Sequence, residues 1–278
     1  MKGEFILQTE TKIISVVNQK GGVGKTTTAW NVGIGLAKSG YKVLLLDFDP
    51  QGDLTTCLGW KNNEELENTV SSLLLNKINN RESNLDDYIL HNDEGVDLIP
   101  SNLDLASTEM QLISAFNRES LLKNSIESIK NYYDYILIDC PPALGILTIN
   151  ALATSTDVLI PVQTHYLPAK GMTKLMGTIN MVKQAINPKL NVMGICMTLC
   201  QERTNVAKSS IEAVTQGYGK HVKIFNNIIP YAVGVSETSI VAESLYKYDS
   251  DGKASKAYDG LTKEIIKATQ PKNKEYSR

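Results

Sequence analysis

A glycine-rich stretch close to the start of the chain constrains the fold more than any other feature. Residues 20–27 read KGGVGKTT, directly after the apolar run ISVVN and Gln19 and directly before a segment with helical periodicity. Glycines at three of the positions 21–24 allow the backbone to turn sharply and leave its amide groups uncovered by Cβ atoms. A strand, a tight turn and a helix in this order predict the first βα unit of an α/β protein.

The same alternation of strands and helices continues along the chain. Continuous apolar runs such as VLLLD, YILID and DVLIPV are typical of strands that helices cover on both faces. We predict strands at 13–18, 42–47, 96–100, 135–139, 158–162, 192–198 and 222–229. We predict helices at 26–39, 64–75, 103–130 in two pieces, 144–155, 169–186, 205–216 and 253–268. The expected fold is a doubly wound α/β fold, with a mostly parallel sheet of about seven strands and helices on both faces.

Length and composition fit one globular domain. The 278 residues are 42% apolar and 21% charged, and no linker or internal repeat divides them. We expect a single domain over 1–278, with its core at about 13–244 and a helical, mildly basic segment at 245–278. Because the sequence has neither a run of about 18 apolar residues nor the layout of a signal peptide, we expect a cytoplasmic protein.

The side chains of the glycine-rich stretch indicate that it binds phosphate. Its backbone amides and the positive end of the following helix both favour an anion. Lys25 is in position to supply a charge between the β- and γ-phosphates of a nucleotide, and the Thr26 hydroxyl to ligate Mg²⁺. The general pattern GxxxxGK[ST] requires glycine at position 19, where this chain has Gln19. The expected phosphate-binding residues are Lys20, Gly21, Gly22, Val23, Gly24, Lys25, Thr26 and Thr27.

The octapeptide KGGVGKTT resembles the deviant Walker A motif of the ParA/MinD superfamily, which includes ParA, Soj and MinD proteins and the nitrogenase iron protein. The resemblance continues in DFDPQGDLTTCLG at 47–59, YDYILIDCPPALG at 133–145, TLCQERTN at 198–205 and NIIPYAVGVSE at 227–237. It covers about 13–244 and implies a P-loop NTPase of the small form, without an N-terminal helix-turn-helix. It also implies Mg²⁺-dependent ATP hydrolysis with a weak intrinsic rate.

Their chemistry and this resemblance together indicate roles for four charged residues. Asp139 closes an apolar strand beside the loop and can hold Mg²⁺ through a water molecule. Asp49 follows the second strand, at the edge where parallel sheets bind ligands, and the resemblance implies that it orients the attacking water. Asp47 is expected to contact either the loop or the metal-bound water. Lys20 resembles the family's signature lysine, which reaches the partner's nucleotide in an ATP-bound homodimer, so the expected catalytic residues are Lys20, Lys25 and Asp49.

The base of the nucleotide is expected near the segment that follows the last predicted strand. By resemblance, adenine lies beside residues that this chain has as Pro230, Tyr231 and Ala232. Tyr231 stands where Soj proteins commonly carry arginine, so at this position the resemblance does not fix the contact with the base; the alternative is that Tyr231 only packs in the loop.

Several functions are compatible with such an ATPase. In DNA partition, an ATP dimer binds duplex DNA without sequence preference and is discharged when a ParB-like partner stimulates hydrolysis. The segment DPQGD at 49–53 resembles ParA and Soj proteins more closely than MinD proteins. A MinD-like membrane cycle and the positioning of a protein cargo remain alternatives. The tail has too little apolar surface for a membrane anchor, and a redox role is disfavoured because the four cysteines include no CxxC pair.

The distribution of charge also favours DNA as a partner. The net charge is −2, yet residues 244–278 hold eight Lys or Arg against five Asp or Glu. Contact between such lysines and the DNA backbone is independent of sequence and sensitive to salt. We expect contacts from Lys253, Lys256, Lys263 and Lys267, in a segment that also contains Lys247, Lys272 and Lys274. The expected location is the cytoplasm, in association with the nucleoid.

Overall fold

The computed structural model describes residues 10–164, 169–201 and 203–270. Within them lies a seven-stranded sheet in the order β3-β4-β2-β5-β1-β6-β7. Every neighbouring pair is parallel except β3 and β4, which are antiparallel. The strands are β1 (Lys12–Val16), β2 (Val43–Asp47), β3 (Leu90–His91), β4 (Asp97–Ile99), β5 (Tyr135–Asp139), β6 (Asp157–Gln163) and β7 (Asn191–Thr198). The predicted doubly wound, mostly parallel α/β fold is confirmed.

Helices cover both faces of the sheet. They are α1 (Lys25–Lys38), α2 (Asp53–Cys57), α3 (Val70–Ile78), α4 (Asp104–Ser114), α5 (Leu121–Ile126), α6 (Ile146–Thr154), α7 (Ala169–Ala185), α8 (Asn205–Tyr218), α9 (Val233–Val241), α10 (Leu245–Tyr248) and α11 (Lys253–Thr269). No helix within the described ranges has both the length and the apolar character needed to cross a bilayer.

The alternation of side chains along each strand divides the apolar residues into two cores. Leu44 and Leu46 of β2 point into the core that α3 to α8 cover, whereas Val43 and Leu45 point into the core under α1 and α11. All five residues of β2 and of β5 are buried. Continuous apolar runs therefore arise because both faces of these strands are covered.

Helix α11 packs along α1 and contributes to the second core. Tyr258, Leu261 and Ile265 are fully buried on its inner face. The two helices approach closely at Gly35, where an added methyl group would overlap the Thr262 hydroxyl. At the far end of α11, Tyr135 and Thr269 share a hydrogen bond of 2.6 Å between their hydroxyls. The helix thus runs from the loop end of the sheet to the opposite edge.

The predicted strand at 222–229 is wrong. Its apolar residues are buried as in a strand, but the segment forms only an isolated bridge to β7 at Ile224, and a second bridge follows at Pro230. Between them the backbone N–H groups of Asn226 and Asn227 donate to the carboxylate of Glu264 on α11. Since those donors are used elsewhere, no continuous ladder with β7 forms.

Three further differences involve short elements. The seventh strand is the antiparallel edge strand β3, which has only two residues. The helix predicted at 64–75 is a single 3₁₀ turn at Asn63–Glu65 followed by α3, which begins at Val70 after the cap residue Thr69. Helix α9 lies in a region for which no helix was predicted.

Candidate functional site

The carboxyl ends of β1, β2, β5, β6 and β7 lie at one edge of the sheet, because these strands are parallel. In an open α/β sheet this is the edge at which ligands bind. The register pairs Asp139 at the end of β5 with Val16 at the end of β1 and with Asp47 at the end of β2. The sheet therefore brings the glycine-rich loop after β1 beside both aspartates.

The glycine-rich loop has the backbone that its sequence predicts. Gly22 and Gly24 have positive φ angles of 68° and 82°, a region that other residues rarely adopt. Gly24 is also the residue that precedes α1. A methyl group added at Gly22 would meet no atom within 4 Å, so the inner side of the loop is open. The loop thus provides uncovered amides next to the positive end of a long helix.

Two side chains from distant parts of the sequence brace this loop. Thr198, at the end of β7, donates a hydrogen bond of 2.7 Å to the carbonyl of Val23. Asn18 accepts a hydrogen bond of 3.0 Å from the N–H of Lys20 and donates one of 2.7 Å to the carbonyl of Pro161. The sequence predictions missed both roles because these contacts join residues far apart in the chain.

Lys25 is the first residue of α1 and is largely buried. Only 7% of its surface is exposed, and no described residue forms a hydrogen bond or ion pair with its ammonium group. A buried charge without a partner is costly. Lys25 is therefore arranged for an anion that the loop would hold.

Asp139 is also buried without donors. It is 1% exposed, and no hydrogen bond from the described residues reaches either carboxylate oxygen. Burial, and then the nearby charge of Asp47, raise the pKa of Asp139 well above its ordinary value. The hydroxyl of Thr26 and the ammonium of Lys25 oppose this rise without completing a hydrogen bond. Two orphaned carboxylate oxygens beside a threonine hydroxyl fit a hydrated Mg²⁺ ion.

Asp47 is engaged with the loop that follows β2. Its Oδ2 atom accepts hydrogen bonds of 2.8 Å from the N–H of Thr55 and 2.7 Å from the Thr55 hydroxyl. Its Oδ1 atom accepts one of 3.3 Å from the N–H of Asp49. Burial raises the pKa of Asp47 to about 7, although these hydrogen bonds oppose the rise. The loop contact expected for Asp47 was with the glycine-rich loop, whereas these hydrogen bonds go to the loop that carries Asp49 and to α2.

Asp49 is half-buried at the mouth of the site. Its Oδ1 atom accepts a hydrogen bond of 3.1 Å from the N–H of Gln51. Two other carboxylates lie near it, Asp53 on α2 and Glu109 on α4, and each has a raised pKa through burial first and the charge of Asp49 second. Glu109 also lies against Gly145, the residue before α6. No local signal in the sequence placed Glu109 in this acidic group.

Lys20 is exposed at the start of the loop. Its ammonium donates a hydrogen bond of 3.0 Å to Oε1 of Gln163, the last residue of β6. The side chain thus lies at the ligand edge of the sheet but points along its surface rather than into the interior.

The segment expected to contact the base lies at the same edge. The N–H of Tyr231 donates to the carbonyl of Cys200, which follows β7, at 2.9 Å. Tyr231 is 56% exposed, and Pro230 and Ala232 are half-buried. Because β7 ends at Thr198, which braces the loop, the structure brings this segment close to the phosphate-binding residues.

The four lysines expected to contact DNA are all exposed on the outer face of α11. Lys256 pairs with Asp251 at 3.4 Å and Lys263 with Asp259 at 2.6 Å. The lysines form one stripe that begins near the loop end of α1 and extends towards the opposite edge of the sheet. Lys272 and Lys274 lie outside the described residues.

Comparison with known proteins places this site in a family. Residues 11–192 match the model of a family described as an AAA domain. The chain is 39% identical over 255 residues to the sporulation initiation inhibitor protein Soj of Bacillus subtilis, covering 91% of this chain and 98% of that protein. It is also 39% identical over 274 residues to the chromosome partitioning protein ParA of Myxococcus xanthus, covering 98% and 94% respectively.

A solved structure shares the fold. It is described as a cobyrinic acid a,c-diamide synthase from Mycobacterium smegmatis with a bound ATP analog and magnesium. The TM-score is 0.80 at 32% identity, covering 92% of this chain and 95% of that chain. The confirmed fold, the family model and relatives that span nearly the whole chain lead to one conclusion. The chain belongs to the ParA/Soj family of partitioning ATPases.

Proposed function

We propose that this protein binds and hydrolyses ATP with Mg²⁺ in order to partition DNA. The observation that carries the proposal is the meeting of Lys25 and Asp139 at one loop. Lys25 is 7% exposed, and among the described residues neither carboxylate oxygen of Asp139 has a hydrogen-bond donor. A Mg²⁺–triphosphate ligand satisfies both at once, since it offers anionic oxygens to the lysine and metal-bound water to the aspartate.

Each residue of the site then has a distinct task in hydrolysis. The amides of the loop and Lys25 hold the phosphates, and Thr26 and Asp139 hold Mg²⁺, directly and through water. The metal ion, when bound, would neutralise charge on the phosphates. Asp49 orients the attacking water, because its carboxylate stands at the mouth of the site and is fixed by the N–H of Gln51. Asp47 supports Asp49 and α2 rather than the nucleotide.

Lys20 contributes to the active site of a second copy of the chain. Lys25 already provides a charge from within the subunit, whereas Lys20 is exposed at the ligand edge. In an ATP-bound homodimer, Lys20 offsets the repulsion between two facing triphosphates and stabilises charge in the transition state. Dimerisation and catalysis are therefore linked through one residue.

Partition gives the ATP-bound dimer two partners, duplex DNA and a ParB-like protein that stimulates hydrolysis. We favour partition over the activity named for the mycobacterial structure because the 39% identical relatives are partitioning proteins, against 32% identity for that structure. The exposed lysines of α11 offer DNA a surface. The alternatives are that the ATP-bound dimer binds a membrane surface or a protein cargo instead of DNA.

The test is phosphate release from ATP and from GTP, with and without Mg²⁺ and duplex DNA, together with size-exclusion chromatography in ATP and in ADP. We expect slow Mg²⁺-dependent release from ATP only, and a dimer in ATP but not in ADP. A protein that releases no phosphate from ATP under any of these conditions, or that is monomeric in ATP, contradicts the proposal. Binding to anionic lipid vesicles in place of DNA would favour the membrane cycle.

A further inference from the structure

Glu264 on α11 holds the turn that leads into the base-contacting segment. Its carboxylate accepts hydrogen bonds from four N–H donors on two consecutive residues. The backbone and side-chain amides of Asn227 donate at 2.9 and 2.7 Å, and those of Asn226 at 3.0 and 3.2 Å. Burial alone raises the pKa of Glu264, but these hydrogen bonds outweigh it and lower the pKa below its ordinary value. The ionised carboxylate is therefore the form that grips the turn.

The surface of α11 is shaped to admit this turn. Gly260, one helical turn before Glu264, lies directly against the side chain of Asn227. A methyl group at Gly260 would overlap the side-chain amide of Asn227. Lys223 lies nearby, with its ammonium 3.9 Å from Oε2 of Glu264. We call Asn226, Asn227, Gly260 and Glu264 together the α11 latch.

The α11 latch connects helix α11 to the segment expected to contact the base. A second contact connects α11 to the phosphate-binding side of the site. Two residues after Asn227, Ile229 is fixed to β7 by a hydrogen bond of 2.9 Å to the carbonyl of Met197, and Pro230 follows. Nearer the start of α11, the hydroxyl of Tyr258 lies 3.3 Å from that of Thr28, three positions after Lys25 in α1. The helix is thus in contact with both the base side and the phosphate side of the site.

The lysine stripe lies beside the latch on α11. Gly260 follows Lys256 by four residues and precedes Lys263 by three, and Lys267 follows Glu264 by three, so these residues are neighbours on the helix surface. Because the turn and the helix share one ionised carboxylate, the position of the turn at 226–227 is linked to that of the neighbouring lysines.

We propose that the α11 latch couples occupation of the base segment at 230–232 to the position of the lysine stripe. This inference rests on the proposed function, since it assumes that ATP and DNA are the two ligands. Glu264 is a positioning residue that acts through Asn226 and Asn227. Coupling between two binding sites is reciprocal, so DNA must raise the affinity for ATP by the same factor as ATP raises the affinity for DNA.

The first experiment separates positioning of the base segment from a general loss of structure. Affinities for ATP and for tripolyphosphate, both with Mg²⁺, are measured for wild type, Glu264→Ala and Gly260→Ala. Tripolyphosphate reaches the loop and has no base. We expect both variants to bind ATP about tenfold more weakly, with tripolyphosphate affinity within about twofold of wild type; this loss corresponds to about 1.4 kcal/mol.

Two control variants keep this experiment decisive. Gly217→Ala places a methyl group on α8 where no atom lies within 4 Å, so it should bind both ligands as wild type does. If Glu264→Ala does not fold, Glu264→Gln takes its place. This variant retains one acceptor oxygen and should show an intermediate loss of ATP affinity. Equal losses for ATP and tripolyphosphate, or an unchanged ATP affinity in Gly260→Ala and the Glu264 variants, overturn the positioning role.

The second experiment measures the coupling itself. The ratio of duplex DNA affinity with ATP to that without nucleotide is determined for the same proteins at saturating ATP. We expect this ratio to fall towards one in Glu264→Ala and Gly260→Ala, with the DNA affinity of the nucleotide-free proteins unchanged. A ratio equal to that of wild type in both variants overturns the coupling. A wild-type protein that binds ATP but not DNA contradicts the proposed function instead, and the first experiment still decides the role of Glu264.

Discussion

Asp47 and Asp139 occupy paired positions at the carboxyl ends of two adjacent parallel strands, yet within the described part of the chain only Asp47 has hydrogen-bond donors. Asp47 accepts three hydrogen bonds from Thr55 and Asp49, whereas no described residue donates to Asp139. We therefore expect a structural role for Asp47 and a ligand-binding role for Asp139, although the two side chains are identical and stand at equivalent strand ends.

Substitution of each aspartate should separate these roles. We expect Asp139→Asn to lose the Mg²⁺ dependence of nucleotide binding, with a melting temperature of the ligand-free protein no lower than that of wild type. Asp47→Ala leaves the buried donors of Thr55 unpaired, at a cost of about 1–3 kcal/mol for each, and should lower the melting temperature. Calorimetric titration with and without Mg²⁺, and thermal melts of the ligand-free proteins, measure both effects. If Asp47→Ala lost the Mg²⁺ dependence and Asp139→Asn lowered the melting temperature, the two roles would have to be exchanged.

Lys25→Ala should abolish detectable binding of ATP. The variant removes a buried charge from a loop whose amides are arranged around the same ligand, so the loss should be several times the roughly 1.5–3 kcal/mol of one charged hydrogen bond. Nucleotide titration checks the result, with Lys38→Ala at the last turn of α1 as a control that should bind normally. Near wild-type affinity in Lys25→Ala would move the phosphate site elsewhere.

Asp49→Ala should retain ATP and lose hydrolysis. The carboxylate lies at the mouth of the site and is fixed by the N–H of Gln51, a position from which it can orient water without gripping phosphate. We expect the variant to persist as an ATP-bound dimer on size-exclusion chromatography, with phosphate release reduced by at least about a hundredfold. Normal turnover would mean that another side chain orients the attacking water. Glu109 is the first candidate because it lies near Asp49.

Lys20→Gln should bind ATP within a few fold of wild type, and should neither dimerise stably nor hydrolyse ATP. The reason is that, in the proposed dimer, Lys25 serves the phosphates of its own subunit and Lys20 those of the partner. Sedimentation velocity in ATP, combined with phosphate release, distinguishes the two lysines. Unchanged dimerisation and turnover would make Lys20 an ordinary surface lysine hydrogen-bonded to Gln163.

The features that were predictable from sequence are those encoded locally. The turn at Gly22 and Gly24, the helix that begins at Lys25 and the buried strand that ends in Asp139 each depend on neighbouring residues. Parallel strands then bring their carboxyl ends together, so the meeting of the loop and the aspartates follows from the order of elements.

The features that were missed depend on contacts between distant residues. The segment 222–229 is rich in β-branched and aromatic residues, as strands are. It is not a strand because Glu264, more than thirty positions later, accepts hydrogen bonds from the backbone of Asn226 and Asn227. Thr198 braces the loop across a separation of 175 residues. Because the residues in each of these contacts lie far apart in the chain, neither contact could be predicted from a local sequence pattern.

A titration of DNA affinity against salt concentration tests most directly whether the ATP-bound dimer holds DNA through the lysines of α11. Duplex DNA affinity is measured from low to physiological salt with ATP, with ADP and without nucleotide. The proteins are wild type and a variant with Lys253, Lys256, Lys263 and Lys267 all replaced by Gln. Glutamine removes the charges without placing carboxylates beside Asp251 and Asp259. The control replaces four exposed lysines elsewhere with Gln: Lys77, Lys123, Lys189 and Lys220.

We predict tight binding only with ATP, and a logarithmic salt slope that becomes shallower by about 0.9 for each phosphate contact that the α11 variant loses. The control variant should bind with nearly the wild-type slope, and both variants should hydrolyse ATP normally in the absence of DNA. Affinity that does not depend on the nucleotide, or an α11 variant that binds DNA as tightly as the control does, would contradict the account.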